Sequence, residues 1–153
     1  MKQTLTIIVW GILLLHTQLY AQNLPLPSNQ QKPEKPLLFS TLPEQFKCNY
    51  DSLQKLLAAE INAQISVQLS SQLLLVGQVV DKSQQNAAQF SMNIRLRNFS
   101  NALFNISVRL MADNSTIIQG RILHPKYGDV LLLAKDKNNY LFKKQSQRLY
   151  MPE

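Results

Sequence analysis

The sequence predicts an α+β domain: an antiparallel β-meander of about seven strands, strongly twisted or partly closed, with one N-terminal helix packed on its apolar face. Three observations predict it. Leu53, Leu56, Leu57 and Ile61 recur at spacings of three and four, which draws one apolar stripe along a helix. From about residue 64 the rhythm changes, and apolar residues occupy every second position, as on a half-buried strand. The polar stretches between these segments are short. Short turns join antiparallel neighbours, because parallel strands need crossovers of a dozen residues or more.

The chain opens with a segment expected to be removed. Met1 and Lys2 precede an apolar run from Leu5 to Leu15, and Leu19-Tyr20-Ala21 then offers a small residue before Gln22. This is the charged, apolar, cleavage-site order of a secretory signal peptide over residues 1–21. At ~1.5 Å per residue the run reaches roughly 16 Å, about half of a ~30 Å hydrocarbon core, too short for a membrane anchor. The expected address is the periplasm or the extracellular surface, with no transmembrane segment in the mature chain. Residues 22–36 hold Pro25, Pro27, Pro33 and Pro36 among Gln, Asn and Lys, and predict a flexible linker. Residues 37–153 form the expected single domain. A mature chain of roughly 130 residues is one domain by length and can bury a core without staples.

Leu37 to Phe46 turns apolar and predicts an edge strand or a loop packed on the domain. The helix is expected from about Asp51 to Asn62, capped by Asn49 or Asp51, whose side chain can accept from the free amides of the first turn. An extension toward Ser71 is the alternative, since Ile61, Ile65 and Leu69 also fit a spacing of four. The strands then follow. Ile65, Val67 and Leu69 alternate with Ser66 and Gln68, and Leu73 to Val80 contains Gly77. Phe90, Met92, Ile94 and Leu96 share one face, as do Phe104, Ile106, Val108 and Leu110. Ile118 and Ile122 flank Gly120, Val130 to Ala134 is apolar on both faces and so central or covered, and Tyr140 to Lys144 closes the series.

The alternation also implies a register. Facing Leu96 with Phe104 aligns Ile94 with Ile106, Met92 with Val108 and Phe90 with Leu110. A one-residue slip would oppose apolar to polar throughout. A three-residue turn at Asp113-Asn114-Ser115 pairs Leu110 with Ile118 and Ile106 with Ile122. Gly77 and Gly120 sit mid-strand, where glycine marks a bulge, a bend or a close approach.

Composition restricts the chemistry. The chain carries 16 Lys and Arg against 9 Asp and Glu, a net charge of +7 that falls by one when Lys2 is removed. The charge is spread thinly, with tight pairs at Arg95/Arg97 and Lys143/Lys144 and no interleaved aromatics, so no nucleic-acid partner is expected. Cys48 is the single cysteine, which excludes an internal disulfide in a compartment that would permit one. With one cysteine and, in the mature chain, His124 alone, a structural zinc set of four ligands cannot be assembled. No calcium loop, GxSxG elbow or glycine-rich phosphate cradle occurs. No catalytic residue, metal ligand or cofactor site is assigned.

Two candidate features remain. Arg95, Arg97, Arg109 and Arg121 fall on the polar sides of neighbouring strands and form a candidate face for an anionic partner, set against a solvated basic surface. Cys48 precedes a helix start, a position that lowers a thiol pKa, and is the candidate reactive thiol, set against a buried inert one. Asn98, Asn105 and Asn114 match glycosylation sequons by chance composition. The sequence therefore points to an exported, non-enzymatic binding module, prodomain-like or inhibitor-like, whose partner is another exported protein or a cell-envelope surface. A carrier of a small apolar ligand and a small extracytoplasmic hydrolase are the alternatives.

Overall fold

The computed structural model describes residues 34–147. The expected signal segment and most of the expected linker lie outside them. The described chain runs β1 (Gln45–Cys48), α1 (Tyr50–Leu57), β2 (Gln64–Ser70), β3 (Leu73–Asn86), β4 (Gln89–Leu96), β5 (Ala102–Leu110), β6 (Thr116–Leu123), β7 (Asp129–Asp136) and β8 (Asn139–Ser146). All eight strands form one antiparallel sheet in the order β1-β8-β7-β6-β5-β4-β3-β2. From β2 to β8 this is a plain meander, and β1 joins the far side of β8. The sheet curls until β1 and β2 approach one another as a nearly closed barrel. One backbone bond, Asn49 N–H to the Leu69 carbonyl at 2.7 Å, spans that approach.

The inner face of the curl is the core. Across the strands one row reads Met92, Ile106, Gly120, Leu133, Phe142 and Phe46, each beside the next in the ladder. The next reads Ile94, Phe104, Ile122 and Leu131. Phe104 and Phe142 are fully buried and tilt against each other with ring centroids 6.3 Å apart. Gly120 leaves room for this packing: a Cβ there would lie 2.8 Å from Phe104 Cε2. Gly77 admits the neighbouring strand itself, since a Cβ would stand 2.1 Å from the Arg95 carbonyl oxygen. Neither glycine interrupts its ladder, so each serves close approach in a tightly curved sheet.

Each end of the barrel is covered by a different device. Helix α1 covers one. Asn49 adopts extended backbone and its Oδ1 accepts from Ser52 N–H at 2.9 Å, satisfying one free amide of the first turn. Leu53, Leu56 and Leu57 are buried in the barrel core, each worth ~1.5–3 kcal/mol of transfer free energy. The helix stops at Leu57, short of the expected Asn62. Lys82 Nζ donates to the Leu57 and Ala59 carbonyls at 3.4 and 3.0 Å, and Asn62 takes φ 68° to turn the chain into β2. Ile61 is exposed and lies outside the stripe. The longer helix toward Ser71 does not form, because those residues are β2.

A strap, residues 34–44, covers the opposite end. The fully buried Phe39 is its plug. The carboxylate of Asp129, itself buried, accepts from Leu38 N–H at 2.7 Å and Phe39 N–H at 2.8 Å. Lys144, an inward-facing residue of β8, donates to the Phe39 and Leu42 carbonyls and pairs with Glu44 at 3.0 Å. The packed chain already begins in residues assigned to the linker: Lys35 Nζ donates to the Pro125 carbonyl, and Gly128 N–H to that of Pro36.

The sheet has eight strands where about seven were expected. The added strand is Gln45–Cys48, four residues at the end of the apolar stretch, too short to show a period of its own. The expected registers are corrected by two residues. Leu96 faces Ala102, Ile94 faces Phe104, Met92 faces Ile106 and Phe90 faces Val108. The cause is a tighter turn. Arg97–Phe99 forms a 3-10 turn, and Ser100 and Asn101 at φ 53° and 65° reverse the chain in the left-handed region. The next hairpin shifts likewise: Met111 N–H bonds the Ser115 carbonyl, Asn114 sits at φ 61°, and Leu110 faces Thr116. A two-residue shift preserves which side chains face the core. Met92, Ile94, Leu96, Phe104 and Ile106 are fully buried, Phe90 and Val108 pack at the core's edge, and Leu110 emerges at the rim.

Strand β3 runs six residues beyond the expected Val80, through the polar segment Asp81–Asn86. A bulge between Val79 and Asp81 resets the alternation and turns Lys82 inward.

Candidate functional site

The curled sheet leaves two edge strands, and they meet where Asn49 N–H bonds the Leu69 carbonyl. β1 pairs with β8 on one side only, and β2 pairs with β3 on one side only. Among the described residues no ladder joins β1 to β2. Between them lies an open slot of about 610 Å³, lined by Phe46, Lys47, Cys48, Asn49, Gln68, Ser70, Ser71 and Gln72. This volume lies within the range of ligand-sized sites, ~300–1,000 Å³.

Hydrogen-bond alternation shows which backbone groups face the slot. Lys144 N–H donates to the Glu44 carbonyl, so Glu44 and, two by two, Phe46 and Cys48 bond β8. Gln45 and Lys47 therefore turn their N–H and C=O groups away from β8, and Lys47 lines the slot. On the other strand, Val79 N–H donates to the Ala63 carbonyl, which turns Gln64, Ser66 and Gln68 away from β3; of these Gln68 lines the slot. A bulge between Gln68 and Ser70 ends the β2 ladder. The Gln68 amide donates to the Ser70 carbonyl and Ser70 Oγ accepts from Gln72 N–H at 3.1 Å, so this corner of the edge is partly satisfied by its own side chains.

The slot has a chemical polarity. Phe46 and Cys48 are buried on its inner side, whereas Lys47, Gln68, Ser71 and Gln72 are exposed on its outer side. Lys47 is the one charged residue among the eight that line it.

Cys48 thus sits at the slot, facing inward. Burial pushes its thiol up to about 12, and Sγ donates to the Asn49 carbonyl at 3.6 Å. The first-turn amide that was expected to favour a thiolate is taken by the Asn49 side chain instead. His124 is remote, at the opposite end of the sheet, following β6; its Nδ1 accepts from Lys126 N–H and its ring meets Tyr127 edge-on. The fold does not bring the candidate thiol and the histidine together.

The four arginines are exposed and separate. Arg95 lies beside Leu103, where Asn105 was expected, and Arg121 beside Asn105, where Ser107 was expected, both through the two-residue register shift. Arg109 faces Gln89 and Ile117 near the helix end of the barrel, and Arg97 occupies the turn at the strap end. They occupy different rungs of the sheet and do not converge. Asn98, noted only as a sequon, proves structural: its side chain accepts from Val76 N–H and donates to the Leu74 carbonyl, holding the turn to strand β3. Among the described residues no group of three or more His, Cys, Asp or Glu could hold a metal, and no helix is long and apolar enough to cross a membrane.

Sequence reasoning anticipated an edge near residues 37–46 but not the slot. The slot exists because a four-residue strand at the start of the domain closes onto the last strand, a pairing across about ninety residues that no local pattern records. Comparison with protein-family models, curated proteins and solved structures found no match.

Proposed function

We propose that this chain is an exported, non-enzymatic binding module that engages another exported protein by pairing backbone to backbone along the β1/β2 seam. The observation that supports this reading is the outer edge of β1, which pairs with β8 on one side and faces the slot with Lys47 on the other. Exposed rows of N–H and C=O groups are a template for an extended peptide, whose main-chain bonds supply affinity while flanking side chains supply selectivity. Prodomain-like and inhibitor-like proteins that share a strand with their target are one form of such a module. The carrier alternative requires a hollow interior, and here Phe104, Phe142, Met92 and Ile106 fill the barrel axis. The hydrolase alternative draws no support from a thiol and a histidine at opposite ends of the sheet.

The test uses Lys47→Pro in the full chain. Proline removes the N–H that faces the slot and leaves the bonds to β8 in place. The full chain, immobilised, is exposed to the envelope fraction and medium of its host. It is expected to retain a defined partner that Lys47→Pro loses, while both proteins unfold at similar urea concentration. Equal retention by Lys47→Pro would place binding elsewhere, and retention of nothing above background would remove the proposal.

A further inference from the structure

We infer that the slot takes an extended segment whose residues alternate between apolar and acidic, added along the free edge of β1. This rests on the seam reading above and adds the chemistry of the occupant. The segment bonds the backbone groups of Gln45 and Lys47 that β8 leaves free, as a parallel or an antiparallel neighbour of β1.

Side-chain preference follows from the pleat. Neighbouring strands keep their inward and outward positions in phase, because successive side chains point to opposite faces. An inserted residue level with Phe46 or Cys48 points toward the buried side of the sheet, where an apolar side chain is favoured and a charge is disfavoured. An inserted residue level with Lys47 points outward beside its ammonium group. No acidic residue lines the slot to neutralise Lys47, and the nearby Glu44 is already paired with Lys144 at 3.0 Å. An acidic residue at that position gains an opposite-charge cross-strand neighbour, while a basic one meets a like charge directly. The chain's overall charge of +7 acts in the same direction at longer range.

The experiment titrates the isotopically labelled full chain with three synthetic peptides while following backbone amide resonances. One alternates Asp and Val, one alternates Lys and Val, and one is the Asp–Val peptide N-methylated at every second residue. The Asp–Val peptide is expected to bind, with shifts confined to residues 45–49 and 68–72. The Lys–Val peptide should bind several-fold more weakly, and the N-methylated peptide should not bind. Lys47→Ala should weaken Asp–Val binding by roughly two- to fivefold, the range of an exposed ion pair, and Lys47→Glu should reverse the preference between the two charged peptides. Equal binding of Asp–Val and Lys–Val peptides at the seam would overturn the acidic assignment while leaving the seam reading intact. Binding that tolerates N-methylation, shifts outside the seam, or no binding by any peptide would overturn both. Concentration-dependent slowing of diffusion without peptide, with the same seam resonances shifting, would identify a second copy as the occupant and overturn the inference.

Discussion

At the scale of single residues, the inward-facing polar groups hold the ends of the barrel. Asp129 is buried and receives two backbone amides of the strap, and hydrogen bonds to a charged group contribute ~1.5–3 kcal/mol each. Asp129→Ala leaves both amides without their acceptor and is expected to cost about 3 kcal/mol in urea unfolding. Asp129→Asn, which keeps one acceptor oxygen, should cost less. An Ala variant as stable as the parent would show that the strap does not depend on this carboxylate. Cys48 makes a second prediction. Because burial raises the thiol to about 12 from an ordinary value of 9.0, the folded chain holds the proton more tightly than the unfolded chain. The resulting stability is fully present below pH 9 and declines as pH rises toward 12. Iodoacetamide at neutral pH should leave the native thiol unmodified and label it once the chain is unfolded. Rapid native labelling would contradict the buried, protonated state. The role of Asp129 was not legible in the sequence, whereas for Cys48 the sequence left a reactive thiol and a buried inert one open, and the fold buries it.

At the scale of elements, the sequence is read most clearly where alternation is strong and least clearly where turns decide. The shared faces of β4 and β5 follow directly from Phe90, Met92, Ile94 and Leu96 against Phe104, Ile106 and Val108. Their register does not, because a two-residue shift leaves the pattern of faces unchanged and only the turn selects between the two alignments. Ser100 and Asn101 in consecutive left-handed conformations make that selection, and a run of Asn and Ser does not announce it. β3 illustrates a different loss: Asp81–Asn86 is polar throughout and pairs with β4 without an apolar side chain of its own, so no hydrophobic period marks it. Helix α1 depends on its cap, and Asn49→Ala should cost about 1 kcal/mol by urea unfolding. The two glycines separate by what each admits. Gly77→Ala drives a methyl into the backbone of β4, whereas Gly120→Ala first meets the edge of the Phe104 ring. Gly77→Ala should therefore be the more destabilising of the two, by more than ~1 kcal/mol, and the reverse order would show that β3 and β4 separate easily at this point.

At the scale of the whole molecule, the account turns on closure. A meander of seven consecutive strands is a local construction, and its helix and apolar face follow from sequence periodicity. The eighth strand is not local, because β1 reaches across the chain to β8 and brings its free edge opposite β2. The barrel is closed enough to bury Phe46 and Cys48 and open enough to leave Lys47 and Gln68 facing a slot. Binding through that slot is the property on which the proposed function depends. The most direct measurement is residue-resolved amide hydrogen exchange of the free full chain. Lys47 and Gln68 amides, which face the slot, should exchange far faster than Phe46, Cys48 and Val67 amides on the same strands, which bond β8 and β3. Slow exchange at Lys47 and Gln68, matching their neighbours, would mean that β1 and β2 are already zipped together and that no free edge exists.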